Sequence, residues 1–264
     1  MNPLFGTKHI LLIIATFALI VALYLPSRKM QLKTVCKTLF VIGICSEIIK
    51  IFYYIIQNES THNGVLPKSD LPFHLCSIQI IFITIVTITK SEKLKRFIFS
   101  FMLPSCLFGG IAAILIATDS SRNGAWIITM QYFVYHAAIS AFALHLFTSK
   151  EIKFNVSDYV NCLKFLLIIM FFAIYINSIV DDGSGKINFM YVVGPPQNGL
   201  PFLNKNYGWL VYITHYAFLV ILCVTGCYAK PLLAWWKERK AEKAVSTPLQ
   251  AELAVTNDTQ ETNE

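Results

Sequence analysis

Charge is scarce in this chain. Aspartate, glutamate, lysine and arginine make up 14% of its 264 residues, where a soluble domain carries about 25%. So few charged side chains cannot cover a water-facing surface, and a soluble globular fold is set aside. No glycine-rich nucleotide loop occurs, so phosphate-cradling chemistry of that kind has no platform. No internal repeat is present. Cysteine is not scarce, but its count of seven is odd. Cys36, Cys45, Cys106, Cys162, Cys223 and Cys227 lie in or at the ends of apolar runs, where thiols act as small hydrophobes. Cys223 and Cys227 share a helix face, yet no histidine or carboxylate nearby completes a zinc set. No disulfide framework, metal site or cofactor is implied.

What is abundant is apolar sequence in long blocks. The chain is 55% hydrophobic with a mean hydropathy of +0.57. Seven blocks, near 9–25, 35–56, 71–89, 97–117, 126–147, 159–180 and 208–228, approach the roughly 20 residues that cross a hydrocarbon core. The pattern predicts an all-α, polytopic membrane helix bundle of about seven transmembrane helices, multi-pass in the cell membrane with membrane lipids as its partners. The first block has only Lys8 ahead of it and no small-residue cleavage site before Pro26, so it reads as a retained helix rather than a signal peptide.

Basic residues set the expected orientation. Arg28, Lys29, Lys33 and Lys37 follow the first block, Lys90, Lys93, Lys95 and Arg96 the third, and Lys150 and Lys153 the fifth. The tail adds Lys230, Lys237, Arg239, Lys240 and Lys243. This bias predicts the N-terminus outside and the C-terminus inside. The net charge of +7 is then charge at the membrane surface, and no nucleic-acid partner is expected. Three regions follow: a seven-helix transmembrane domain over 1–230, a basic interfacial helix end over 231–244 bearing Trp235 and Trp236, and a disordered polar tail over 245–264. Asn58-Glu59-Ser60 forms a glycosylation triplet on the expected outer side. The segment from Asp181 to Tyr207, rich in glycine and proline, is long enough for a lid or binding loop. Its Phe189, Met190, Tyr191 and Phe202 predict partial packing against the helices.

The informative polar residues lie inside the apolar blocks, where each costs free energy and is by default a site hypothesis. Asp70-Leu71-Pro72-Phe73-His74-Leu75-Cys76 opens the third block. The sequence predicts a helix beginning at this proline. A cysteine in its first turns would feel the positive helix end, which favours thiolate. At 1.5 Å per residue, Cys76 lies roughly 6–9 Å below the outer boundary, His215 about 10 Å, and Glu47 and Lys50 about 10–15 Å. His136 lies roughly 15 Å down. Gly43, Glu47, Lys50 and Tyr54 share one face at helical spacing. Asn177 and Asp181 add to this outer cluster, while the inner half holds little beyond Lys164 and His145. Structural readings stand beside each: Glu47 and Lys50 as an ion pair, Gln79 and Gln131 as ties between helices.

At these residues the sequence resembles the YwaF-type family of bacterial integral membrane proteins. The resemblance rests on Leu71-Pro72-Phe73-His74-Leu75-Cys76-Ser77, on Glu47 with Lys50, on His136, and on Asn188-Phe189-Met190-Tyr191 followed by Pro195-Pro196. It spans about residues 35–228, and Phe189 departs from the family's usual tyrosine. The fold and cysteine motif are similar to those of the animal multi-pass acyltransferase transmembrane protein 164, which moves fatty acyl chains between phospholipids. The resemblance implies a cysteine nucleophile at Cys76 and a base at His136.

The leading expectation is a cysteine-dependent lipid acyltransferase or lipid hydrolase at the outer leaflet. Cys76 would be the nucleophile and His136 the base, with Glu47 orienting the imidazole and His74 aiding the oxyanion. Gln79, Lys50, Gln131, Asn177, Asn188 and His215 are the candidate substrate contacts. The alternative is a non-enzymatic lipid or small-molecule binding protein, or a transporter, with an intramembrane polar site. A metal reading would need His74, Cys76, His136 and His215 to converge.

Overall fold

A computed structural model of the chain describes residues 3–57, 66–181, 183, 187–195, 203, 206 and 208–241. The glycosylation triplet, the polar tail and residues 242–244 of the basic segment lie outside the described residues. Among those described, every regular element is helical. The helices are α1 (Thr7–Ser27), α2 (Leu32–Gln57), α3 (Ile78–Ile88), α4 (Glu92–Leu115), α5 (Asp119–Asn123), α6 (Trp126–Thr148), α7 (Val156–Val180) and α8 (Trp209–Cys227). A ninth, α9, runs over 229–241.

Six of these helices, α1, α2, α4, α6, α7 and α8, are long and apolar enough to cross a membrane. The third of the seven blocks predicted from sequence does not form a helix of that length. Its helix α3 has only 11 residues, about 16 Å of rise. Residues 71–77 before it form turns, preceded by a 3-10 turn over Lys68–Asp70. Pro72, His74 and Cys76 therefore precede the helix instead of occupying its first turns. Pro72 has no N–H and disfavours helix at the residue before it, and the Phe73 N–H closes a tight turn on the Leu71 carbonyl at 2.7 Å. Irregular backbone at membrane depth is tolerated where protein surrounds it. The short α5, capped by Thr118, is a further element the sequence reading did not anticipate.

Burial sorts the helices. In α4 and α6, 61% of the apolar window is buried, against 17–22% in α1, α2, α7 and α8. These two form the centre. α6 packs on α1, α2 and α4, while α4 also meets α3, α7 and α8. Small residues set the closest approaches. A Cβ on Gly110 of α4 would clash with the Ser140 Oγ of α6, and one on Gly43 of α2 would lie 3.0 Å from Ile80 of α3. The periphery carries exposed Leu11, Phe52, Ile88, Ile179, Leu210 and Phe218, the surface expected of a bundle in lipid.

Two polar devices fix the end of the bundle remote from Cys76. Asp158 and Asn155 form a capping box at the start of α7. The same buried Asp158 carboxylate accepts from Nε and Nη2 of Arg96 on α4, at 2.7 and 2.6 Å. At that end Tyr228 donates to the Ser100 carbonyl at 2.8 Å, and the chain continues into α9. There Arg239 lies over Trp235 and Lys240 over Trp236.

Candidate functional site

The turn over 71–77 is held from three sides. On α6, the Tyr135 hydroxyl donates to the Cys76 carbonyl at 2.8 Å. On α4, the Cys76 Sγ faces the Gly109 carbonyl at 4.0 Å. On α2, the Lys50 ammonium donates to the Asp70 carbonyl at 3.1 Å while pairing with Glu47 at 2.8 Å. The Asp70 carboxyl meets Tyr54, and burial holds it above the ordinary carboxylate range against the opposing pull of Tyr54 and Lys50. The α2 face seen in the sequence thus anchors the cysteine turn.

His136 sits one residue after Tyr135, on the adjacent face of α6, and is 5% exposed. Its Nδ1 lies 2.6 Å from the Tyr132 carbonyl. A carbonyl only accepts, so Nδ1 carries the proton and the neutral ring keeps its lone pair on Nε2. The sequence reading gave the orienting role to Glu47. The structure gives it to the Tyr132 backbone, while the Glu47 carboxylate is taken by Lys50. Gly109 and Gly110 lie between the two candidate residues: the Gly109 carbonyl meets the Cys76 sulfur and Gly110 packs against the His136 backbone carbonyl. His74 lies near His136 and is hydrogen-bonded to the Ser69 backbone.

The expected thiolate stabilisation by a helix start is absent from this geometry. Cys76 lies before α3, and the polar atom beside its sulfur is a carbonyl oxygen, which suits S–H and opposes S⁻. A resting thiol that gives up its proton to a base fits this arrangement better than a standing thiolate.

The loop over 187–195 closes the fourth side. Phe189 packs edge-on against His74, with ring centroids 5.1 Å apart. Asn177 clamps the loop: its side chain accepts from the Phe189 N–H at 2.8 Å and donates to the Phe189 carbonyl at 3.0 Å. Asn188 closes the same loop on itself through Gly194 and Val193. From α8, Trp209, Tyr212 and Tyr216 donate to the Val192, Tyr191 and Met190 carbonyls. These bonds hold Met190 and Tyr191 at φ of 55° and 56°, left-handed conformations that cost side-chain-bearing residues about 1–3 kcal/mol. Burial pushes the Tyr191 phenol up to about 12, so it stays a neutral hydrogen-bond donor.

The remaining sequence candidates divide. Gln79 is buried, donating to the Leu75 carbonyl and to Ser105 while its Oε1 finds no partner among the described residues. Gln131 ties α6 to Ser46 of α2. His215 is exposed on α8, so the four-residue metal reading does not assemble. Among the described residues no three histidine, cysteine or acidic side chains could hold a metal ion. Tyr135 is the residue that sequence reasoning missed. A tyrosine in a membrane helix immediately before a histidine was the available signal, since a buried hydroxyl needs a partner.

The fold and site define a polytopic helical membrane protein whose bundle encloses a cysteine and two histidines. Its sequence matches the model of the TMEM164 family over residues 4–228, and the chain belongs to that family. No curated protein and no solved structure matches it.

Proposed function

We propose that the protein is a Cys76-dependent lipid acyltransferase, or the corresponding lipid hydrolase. The observation that carries this reading is the pair of constraints from one helix. Tyr135 grips the Cys76 backbone, and the next residue, His136, has its Nδ1 proton committed to the Tyr132 carbonyl, which leaves the Nε2 lone pair as the ring's acceptor. His136 Nε2 takes the proton from the Cys76 thiol as Sγ attacks an ester carbonyl of a membrane lipid. The tetrahedral intermediate collapses with cleavage of the C–O bond. His136 returns its proton to the departing lysolipid alkoxide, leaving a thioester on Cys76. A second lipid hydroxyl, deprotonated by the same imidazole, attacks the thioester and restores the thiol. With water in that place the outcome is hydrolysis.

His74 and the Tyr191 hydroxyl are the side chains suited to the oxyanion. The predicted orientation places Cys76 in the outer half of the bilayer, near the depth of lipid ester carbonyls. Glu47 and Lys50, paired inside the bundle, support the second reading of a polar binding or transport site. Purified protein in vesicles, supplied with a phospholipid labelled in one acyl chain and an unlabelled lysophospholipid, separates the two. Acyl exchange lost in Cys76→Ser supports catalysis. Lipid or solute movement indifferent to that substitution favours binding or transport.

A further inference from the structure

A second site lies at the other end of the bundle. An open cleft of about 550 Å³ runs between the starts of α2 and α4 and the end of α3. Its base is apolar, formed by the buried Cys36, Val86 and Phe99, and its rim carries Lys33, Lys37 and Lys95. Of the other charges there, only Glu151 has no cationic partner among the described residues. Glu92 pairs with Lys95 at 2.6 Å, Glu151 accepts from the Leu32 N–H at 2.8 Å, and Arg96 is held by Asp158. That leaves Lys33 and Lys37, one helical turn apart, without a carboxylate partner among the described residues. The positive ends of α2 and α4 open on the same space, opposed by the negative end of α3.

The chemistry of the ligand follows from the rim and the base together. Cations over an apolar floor fit a molecule with an anionic head and a hydrocarbon body. The level in the membrane agrees, because α9 leaves α8 at this end with exposed Trp235 and Trp236, residues that prefer the headgroup layer. Val86 lies eight residues beyond Ile78, the first residue of α3, so the cleft lies about 12 Å along the helix from the end that follows the cysteine turn and is separate from the proposed catalytic pocket. We infer that this cleft binds the phosphate headgroup of an anionic phospholipid between Lys33 and Lys37, with an acyl chain along Cys36, Val86 and Phe99.

The test uses the full chain, delipidated in neutral detergent and titrated with phosphatidylglycerol or phosphatidylcholine, with bound lipid counted by native mass spectrometry. Wild type should retain phosphatidylglycerol preferentially. Lys33→Gln with Lys37→Gln should weaken that retention by about thirtyfold, the effect expected of two lysines at an anionic surface. Lys90→Gln with Lys93→Gln, which neutralises the same end outside the cleft, should leave it unchanged. Equal losses in both double variants, or none in the first, would overturn the assignment. Displacement of the lipid by millimolar inorganic phosphate alone would also overturn it, by showing a site for a soluble anion.

Discussion

The Tyr135 hydroxyl and the Cys76 carbonyl, 2.8 Å apart, join the helix that carries the proposed base to the turn that carries the proposed nucleophile. The bond crosses 59 residues of sequence and fixes a segment with no helical hydrogen bonds of its own through most of its length. Tyr135→Phe keeps the ring and removes only the pin. Stability should fall by about 0.5–1.5 kcal/mol, the net value of one such bond. Acyl transfer should fall by a larger factor, in kcat rather than KM. Matching small losses in both would reduce Tyr135 to a packing residue.

His136→Ala should lower the rate of acyl transfer by roughly 10²–10⁴, the range for a lost general base. The protein should remain folded, because the Tyr132 carbonyl it releases belongs to the helix ladder. Glu47→Gln tests the alternative orienter. With the imidazole held by Tyr132, this substitution should leave the rate within a few-fold of wild type, read in the same labelled-lipid exchange.

Ser140 and Gly110 give a prediction about packing alone. The buried Ser140 Oγ has no hydrogen-bond partner among the described residues and occupies the space a Gly110 Cβ would need. Gly110→Ala should destabilise by about 1–3 kcal/mol through overpacking. Ser140→Ala should be neutral or stabilising, and the double variant should recover part of the loss. Additive effects in thermal unfolding would contradict this contact.

The arrangement of passes is open to direct labelling. In a background with the native cysteines replaced, Arg28→Cys, Lys95→Cys and Lys237→Cys should all react from the cytoplasmic side. Labelling of Arg28→Cys and Lys237→Cys from opposite sides would remove the broken third segment as a membrane crossing.

How much of this was legible in the sequence depends on range. Apolar length alone located the six long helices, because a membrane solvent demands nothing subtler. The Glu47–Lys50 pair was readable from i,i+3 spacing, as both partners sit on one helix. The third block misled because hydropathy does not distinguish a full helix from a turn followed by a half-helix. Pro72 carried that information, since it restricts Leu71 before it. The Tyr135–Cys76 and Asn177–Phe189 bonds were not readable, as each joins segments that only tertiary packing brings together. The same limit explains why Glu47 was assigned to orient His136. The Tyr132 carbonyl that does so is a backbone atom, and backbone acceptors carry no side-chain signature.

Asn177 tests whether the folded loop matters to the site. Asn177→Ala removes the clamp on Phe189 and leaves a buried N–H and carbonyl unpaired, which should cost about 1–3 kcal/mol. Proteolysis between residues 187 and 195 should then accelerate and acyl transfer should fall. Unchanged turnover with an opened loop would separate the loop from the chemistry.

The central claim is a covalent acyl intermediate on one sulfur. Vesicle-reconstituted protein is mixed with a phospholipid of defined acyl chain, quenched in acid within the first turnover, and digested for mass spectrometry. The account predicts the acyl mass on the Cys76 peptide alone, sensitive to hydroxylamine and absent in Cys76→Ser. Lipid turnover with no acyl mass on Cys76, or acylation spread evenly over all seven cysteines, would contradict it.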